Sequence, residues 1–383
     1  LICLNGTPKT PIFNLKCPYE KINTDDYHRW VYEEKANDEN WPLPTGSMKL
    51  VFMTTEDAQD VTVPIDEDYS IFWGDGKKTT NETSHTYDSP GEYSVTIIAP
   101  DTGIAIILSK ASDIKWTNHI YEVHALGKID SPSVSGLFES CTKLKTFNLG
   151  SEYTAKTPIT DFSSLFLGAS SLERADLTNF VTSSATNISS MFKDTKALES
   201  IVTEGWNTTE VTNFSSMFEN ATAIEKLILD KSSTNWNVGK GENFSNMFKN
   251  ASYLKELNLK YWNIDLSQDI TGMLQGLSNL KILNVRGWND VSSTHLSNMG
   301  VASSGDCSTE PNDTCLSNVN IACSTYPASG EFVPQFAGYN CYGPGPMAFK
   351  LDLTEENKEV RLPLSCSASG GCNYDFTVCF HDT

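Results

Sequence analysis

One short pattern of apolar and polar positions recurs about six times in the middle of the chain. Each copy has an apolar residue, two small residues, mostly polar, and two large apolar residues, as in Phe214-Ser215-Ser216-Met217-Phe218. The copies begin at Val134, Phe162, Ile188, Phe214, Phe244 and Ile270. Their last apolar residues, at positions 138, 166, 192, 218, 248 and 274, are separated by 28, 26, 26, 30 and 26 positions. A period of this length predicts a solenoid, because each unit can bury its apolar face only by stacking on its neighbours.

A second pattern follows the first in each copy and ends with the alternation of a strand. Its apolar residues are spaced as in Leu254, Leu257 and Leu259. An apolar residue at every second position is typical of a half-buried strand. The small polar pair of the first pattern suits the N-terminal cap of a short helical turn. We therefore predict an α/β solenoid of about six repeats of 26–30 residues, each with a short helix, a turn and a short strand.

An aromatic residue recurs after the predicted strands, and it has two interpretations. Four of these residues are tryptophans, namely Trp206, Trp236, Trp262 and Trp288, and each is followed by an asparagine. In the first interpretation the rings pack in the core, while the asparagines bond backbone groups of the coil. In the second, the four tryptophans form a strip that stacks on sugars and serves as a ligand face.

A different pattern precedes the repeats. Short β-runs at Met48–Met53, Val61–Val63, Tyr69–Trp73 and Tyr93–Ile98 are separated by Asp, Gly and Pro residues. This spacing predicts a small antiparallel β-sandwich over residues 48–105. The acidic residues between the runs fit no calcium-loop spacing, so we predict a solvated acidic face and no metal site.

The last part of the chain, residues 301–383, repeats the beginning of that pattern. Residues 347–351, 360–364 and 374–380 parallel residues 48–52, 61–65 and 69–73. We expect a cysteine-rich β segment that forms part of a second sandwich. Three alternatives stay open: the polypeptide continues into a further module, another chain supplies the missing strands, or the cysteines staple a smaller fold.

Ten cysteines indicate an oxidising compartment. Nine of them are disulfide candidates: Cys3, Cys17, Cys307, Cys315, Cys323, Cys341, Cys366, Cys372 and Cys379. Cys141 occupies a position that other repeats fill with alanine, so we predict a small buried thiol there. The odd number of C-terminal cysteines then leaves an intermolecular bridge or a bridge to Cys141 as alternatives.

Charge and modification motifs agree with a location outside the cell. The net charge of -20 argues against partners such as nucleic acid and anionic lipid, and no apolar run is long enough to span a membrane. We take the chain, which begins at Leu1, as a mature or trimmed form. Sequons for N-glycosylation begin at Asn5, Asn81, Asn187, Asn207, Asn213, Asn220, Asn243, Asn250 and Asn312.

Two parts of the chain resemble known families. The motif Asn-Phe-Ser-Ser-Met-Phe with its preceding Trp-Asn resembles the BspA-type leucine-rich repeat of mycoplasma-type surface lipoproteins, from about Val134 to Asn289. That resemblance implies a right-handed α/β solenoid on an extracellular surface, with adhesive or structural roles and no catalytic residues. Trp73-Gly74-Asp75-Gly76 and the following His85-Thr86-Tyr87 resemble the polycystic-kidney-disease type of β-sandwich.

These observations divide the chain into four parts and favour two functions. We predict an irregular segment over residues 1–47, with a Cys3–Cys17 bridge as one option, and the sandwich over residues 48–105. The solenoid follows over residues 106–300 and begins with a leading strand around Ile114–Leu126. The cysteine-rich segment covers residues 301–383. No catalytic motif, cofactor motif or zinc spacing is present, so we expect no enzyme and no cofactor. We expect a secreted subunit of a surface filament or coat that binds itself head to tail or other surface proteins. The alternative is an adhesin that recognises a glycan or protein through the solenoid.

Overall fold

The computed structural model describes residues in the sandwich, the solenoid and a few positions beyond them. The described residues are 46–65, 69–98, 114–129, 131–150, 154–155, 157–203, 205–229, 236–260, 262, 264, 268–285, 297–301, 319–323, 335–336 and 339–340.

Six short strands form the N-terminal part of this structure. They are β1 (Met48–Thr54), β2 (Gln59–Thr62), β3 (Ser70–Phe72), β4 (Lys78–Thr80), β5 (Ser84–Tyr87) and β6 (Gly91–Ile98). Buried and half-buried residues alternate along β1, as the pattern of its sequence predicts. The long strand β6 is antiparallel to β1 on one side and to β3 on the other. Strands β2 and β5 form a second sheet, and Val61 and Tyr87 from it enter the same core.

The next strand joins this part of the chain to the repeats. A short helix, α1 (Ile114–Thr117), precedes β7 (Ile120–Ala125), so the leading strand begins later than we predicted. Strand β7 is antiparallel to β1 and parallel to the first repeat strand, β9 (Thr146–Asn148). The two regions therefore share one continuous sheet.

Most of the remaining strands stack in parallel from coil to coil, whereas β17 and β18 form a separate antiparallel pair. They are β8 (Lys128–Ile129), β10 (Thr154–Ala155), β11 (Arg174–Asp176), β12 (Ser200–Val202), β13 (Lys226–Ile228), β14 (Glu256–Asn258), β15 (Ile282–Val285), β16 (Asn320–Cys323), β17 (Gln335–Phe336) and β18 (Tyr339–Asn340). The shared sheet has the order β12-β11-β9-β7-β1-β6-β3-β4, and β13-β14-β15-β16 form a separate parallel sheet. The strand stack thus continues to β16, past residue 300.

The prediction of an α/β solenoid is wrong, because the repeated motif is a series of turns and the fold is a β-solenoid of about six turns. The reason is two residues in each motif with left-handed backbone, such as Ser216 (φ 55) and Asn220 (φ 59). An α-helix cannot contain such residues. The equivalent positions in other coils include Ser164, Gly168, Ser190, Asp194, Asn246, Asn250, Gly272 and Gly276.

Alternating hydrogen bonds satisfy the backbone of each motif. The N–H groups of Phe214, Ser216, Phe218 and Asn220 donate to carbonyls of the next coil. The N–H groups of Met217, Glu219 and Ala221 each donate to the carbonyl three residues back in the same coil. The amide of every second residue thus bonds to the neighbouring coil, and the amides of the intervening residues close tight turns within their own coil. Each of these amides therefore has a hydrogen-bond acceptor.

Aromatic rings form a continuous ladder through the core. Phe138, Phe166, Phe192, Phe218 and Phe248 stack on one another with centroid distances of 5.6, 5.5, 5.5 and 5.9 Å. Trp116 of α1 lies 5.8 Å from Phe138 and 5.9 Å from Phe52 of β1. One buried tryptophan therefore connects the core of the sandwich with that of the solenoid.

Candidate functional site

The repeated tryptophans are core residues. Trp206, Trp236 and Trp262 are each 0% exposed, and their rings stack at 5.9 and 6.4 Å. The indole N–H groups of Trp206 and Trp262 donate to the carbonyls of Leu177 and Leu229. The packing interpretation is therefore confirmed for these three residues, whose faces are closed to any ligand. Trp288 lies outside the described residues.

The asparagines that follow two of these tryptophans bond the backbone, as predicted. The Oδ1 atom of Asn207 accepts a hydrogen bond from the N–H group of Thr209, and Asn237 does the same for Gly239. Both side chains thus close a local turn at the corner of a coil. Their role is structural.

Three of the sequons coincide with a turn motif of the solenoid. Asn187, Asn213 and Asn243 form bridges to one another on successive coils. The Oδ1 atom of each accepts a hydrogen bond from the N–H group two residues later, at 3.1, 3.1 and 2.9 Å. The Oδ1 atoms of Asp161 and Asp269 accept the equivalent hydrogen bonds, from the N–H groups of Ser163 and Thr271. The Asn-x-Ser sequence thus has a structural reason that is independent of glycosylation.

Two further sequon asparagines belong to a side-chain ladder. The Nδ2 group of Asn220 donates to Asp194 at 2.8 Å, and the Nδ2 group of Asn250 donates to Asn220 at 3.1 Å. A glycan on either nitrogen would replace one of its two hydrogens and leave a single N–H group to donate in this ladder. Asn81 is exposed, whereas Asn5 and Asn312 lie outside the described residues.

The cysteine predictions can be compared with the structure at one position. Cys141 is a free, buried thiol, as predicted, and burial raises its pKa. The side chains of the nine disulfide candidates lie outside the described residues. Their pairing stays a prediction.

The Trp73-Gly74-Asp75-Gly76 turn is organised by one carboxylate. Asp75 accepts hydrogen bonds from the Lys77 amide at 3.0 Å and pairs with the His85 ring at 2.9 Å. Burial raises the pKa of Asp75, but these hydrogen bonds and the nearby positive charges outweigh it and leave the pKa below its usual 3.8. His85 in turn stacks on Trp73 at 4.8 Å. This cluster holds the turn together, and we assign it a structural role.

A groove crosses the outer face of the shared sheet. Strands β7, β9, β11 and β12 contribute outward-facing residues in two rows, which the strand register sets side by side. The first row contains Glu122, Thr146, Arg174 and Ser200, and the second contains His124, Asn148, Asp176 and Val202. No recurring sequence motif marks this groove, because its residues differ from coil to coil.

Most charged groups at the groove already have partners. His124 pairs with Glu122 at 2.9 Å, and Lys145 pairs with Glu173 at 3.6 Å at the border. Asp176 accepts hydrogen bonds from the amide and hydroxyl of Thr178. The guanidinium of Arg174 is exposed and has no hydrogen-bond or ion-pair partner in the described part of the chain.

The groove ends at an interruption in the strand stack. Near the start of the strand, a backbone N–H group of one coil donates to the carbonyl at the equivalent position of the preceding coil. This bond is present between five pairs of consecutive coils, as from Glu199 to Glu173 and from Lys255 to Glu225. Within the described segments, the corresponding bond from Glu225 to Glu199 is missing, and β12 and β13 belong to different sheets. We call this gap the seam. Val202 and Ile228, on its two sides, are 43% and 41% exposed.

Clusters of metal-binding side chains and membrane-spanning helices are both absent from the described residues. These residues contain no cluster of three or more His, Cys, Asp or Glu side chains arranged to hold a metal ion. None of their helices has the length and apolar character needed to cross a bilayer.

The comparisons with known proteins concern the repeats. The family model described as "Mycoplasma protein of unknown function, DUF285" matches residues 132–233 and again residues 204–306. No significant match was found among curated proteins or among solved structures. The solenoid of this chain is therefore similar to a mycoplasma-type repeat family of unknown function.

Proposed function

We propose that the chain is a non-enzymatic structural protein of an extracellular surface, and a subunit of a filament or coat that assembles head to tail. The observation that carries this proposal is the shared strand β7, which is hydrogen-bonded to β1 on one side and to β9 on the other. A subunit that transmits load benefits from such a joint, because force passes through paired strands rather than through a free linker.

Further support comes from the sequence. The repeat motif resembles the BspA-type surface repeats, and the Trp-Gly-Asp-Gly region resembles the polycystic-kidney-disease type of sandwich. The net charge of -20 suits a solvated surface protein and disfavours nucleic acid as a partner. The sequons and disulfide candidates are consistent with secretion, and both stay predictions.

The test is the assembly state of the native material. We expect negative-stain electron microscopy to show regular polymers, and sedimentation of the full chain to show mass that grows with concentration. Deletion of residues 347–383 should abolish the polymers, because the sequence there parallels strands of the sandwich. The control variant is Tyr253→Ser, which removes a 57% exposed side chain of the solenoid. A chain that stays strictly monomeric at high concentration would contradict the proposal.

A second candidate is an adhesin that recognises its ligand through the solenoid. Burial of the described tryptophans removes the strip that first suggested this function. The groove on the strand face favours it instead, since Asn148, Arg174 and Ser200 are exposed there and the Arg174 guanidinium has no partner among the described residues. Both functions are compatible with one surface protein. They differ in where a change should act: changes in residues 347–383 should prevent assembly, whereas changes in the solenoid should weaken ligand binding.

A further inference from the structure

One edge strand of the sandwich has a free side. Strand β5 is antiparallel to β2, and the Val63 amide continues their ladder by donating to the Thr83 carbonyl. Because bonded and non-bonded pairs alternate along such a ladder, the N–H and C=O groups of Ser84 and Thr86 point away from β2. Neither backbone has a hydrogen-bond partner on that side among the described residues. We call this free side the β5 edge.

The other edge strands of the sandwich are better protected. Helix α1 lies beside β2, and Asp60 and Thr62 of that strand have further interactions. Strand β4 has three residues, and its Lys78 side chain extends over the Phe72 ring, 5.4 Å from the centroid. A short strand that carries lysine resists pairing with another chain. The outward residues of β5 are short and uncharged, so they offer no such protection.

The chain contains a second copy of the sequence that β5 already accepts as a partner. Residues 360–364, Val-Arg-Leu-Pro-Leu, parallel residues 61–65, Val-Thr-Val-Pro-Ile, which begin in β2. Both segments have apolar residues at alternate positions, as a strand with one buried face requires. In the sandwich these residues enter the core, namely Val61, Val63 and Ile65. The segment around residue 360 therefore has the sequence of a strand that can pair with β5.

Charge favours this segment over a second β5 edge as the occupant. Glu82 and Asp88 flank β5, and both are exposed. Antiparallel pairing of two β5 edges would bring Glu82 of one copy near Asp88 of the other, and like charges placed opposite each other repel. Residues 358–361 instead carry Lys358 and Arg361 with a single carboxylate. Such a segment can approach the two acidic residues at lower electrostatic cost.

We propose that the β5 edge accepts residues 358–362 of a second copy as an additional strand, so that the sandwich of one subunit holds the next subunit. The inference rests on the proposed assembly and names its contact. The backbones of Ser84 and Thr86 supply the hydrogen bonds. The Tyr93 ring, which stacks on Tyr87 at 3.7 Å and is only partly buried, offers apolar surface at the end of β5.

The experiment compares proline variants of the full chain by sedimentation and negative-stain electron microscopy. Ser84→Pro removes an outward N–H group and no bond to β2, so the sandwich should stay folded. It should raise the concentration at which polymers form by about tenfold or more, because the added strand loses a backbone bond. The matched control is Thr80→Pro, which removes an outward N–H group from β4 and should polymerise as wild type does. Circular dichroism of each variant checks the fold.

Mixing two variants tests whether the contact joins different copies. Val360→Pro keeps the β5 edge and damages the added strand, whereas Ser84→Pro damages the edge and keeps the strand. At a concentration where wild type just polymerises, each variant alone should be monomeric. A mixture of the two should form dimers and nothing larger, because one intact edge and one intact strand remain to pair.

The outcomes separate this contact from the assembly itself. Polymers of Ser84→Pro at the wild-type concentration would overturn the contact and leave the assembly standing, as would a mixture that stays monomeric. Loss of polymers in Thr80→Pro as well would overturn the assignment to β5, since proline on either edge would then act alike. A wild-type chain that stays monomeric would refute the assembly and this contact with it.

Discussion

Two left-handed residues in each motif decide the class of the solenoid. Ser216 and Asn220 are four positions apart, a spacing that fits one face of a helix as well as it fits the observed turns. The sequence does contain a signal for the turns. Gly, Asn and Asp tolerate that backbone best, and they occupy the second left-handed position in five of the six motifs, at residues 168, 194, 220, 250 and 276, with Ser140 in the first motif. The type of residue at this one position of the repeat distinguishes a β-solenoid from an α/β solenoid, whereas the spacing of apolar residues does not.

Asp75 should make the stability of the sandwich depend on pH in the acid range. Its pKa in the folded chain lies below 3.8, so its contribution is present above that value and is lost as pH falls through the lower folded pKa. Asp75→Asn should lower the free energy of unfolding at pH 7 by about 1–3 kcal/mol, since it weakens hydrogen bonds to a charged group. Urea unfolding at pH 7 and pH 3 measures both effects.

The control for that prediction is Asp88→Asn. The Asp88 side chain is 85% exposed and pairs with Lys77 at the surface. Its replacement should change stability little at either pH. If Asp75→Asn loses as much stability on acidification as wild type does, the carboxylate is not the group that titrates.

At the scale of elements, the seam has a cause in the sequence. The inward position after each strand is a buried leucine at residues 149, 177, 229 and 259, whereas β12 is followed by the half-buried Thr203. The hydroxyl of Thr203 accepts a hydrogen bond from the indole of Trp236 at 3.4 Å. Ile201 of β12 is also only partly buried. A polar residue in place of an apolar anchor therefore loosens one strand from the core.

Replacement of Thr203 by leucine should close the seam. The added apolar surface should stabilise the chain by about 1 kcal/mol, because leucine restores the anchor found in the other coils. The Trp236 indole loses the Thr203 hydroxyl, and we expect it to donate to the carbonyl of residue 203 instead, as the indoles of Trp206 and Trp262 donate to those of Leu177 and Leu229. Hydrogen exchange should then show a newly protected amide at Glu225, whose bond to Glu199 would form. An unchanged exchange rate at Glu225 together with unchanged stability would argue against this cause.

Leu177→Thr is the reciprocal variant. It places the polar residue after β11, where the Leu177 amide donates to Val202 at 3.0 Å. We expect a loss of about 2 kcal/mol, from lost apolar burial and the cavity that remains. Exchange at Leu177 should become faster.

At the scale of the whole described structure, one strand and one tryptophan unite two regions that the sequence presents as separate. Composition and periodicity change sharply between residues 98 and 134, which is why they predict two independent modules. The pairing of β7 with both β1 and β9 is long-range, and no local pattern encodes it. The sequence therefore predicts β1, β2, β3 and β6 approximately, a strand in each repeat, the buried thiol and the core aromatics, but not β4, β5, the joint or the groove beside it.

Trp116→Ala tests this joint. The ring contacts Phe52 on one side and Phe138 on the other, so its loss should cost about 3 kcal/mol or more. Hydrogen exchange should become faster in β6 and in β11 alike. Trp236→Ala, which removes an equally buried ring inside the solenoid, should leave β6 protected. Faster exchange confined to one region in Trp116→Ala would contradict a shared core.

The direction of the coil-to-coil hydrogen bonds has an electrical consequence. In the motif turns, four bonds per coil run from the N–H groups of one coil to the carbonyls of the next, as from residues 214, 216, 218 and 220. These bonds point in the same direction in every motif from the one that begins at Val134 to the one that begins at Phe244. The dipoles of the peptide groups that form them therefore add along the stack, as they do in a helix. This row of turns is thus polar, with its amides facing one way and its carbonyls the other, whereas bonds such as that from Glu199 to Glu173 on the strand side run in the opposite sense. Two copies can continue each other's ladder in only one orientation, which gives any polymer built by such stacking a fixed direction of growth.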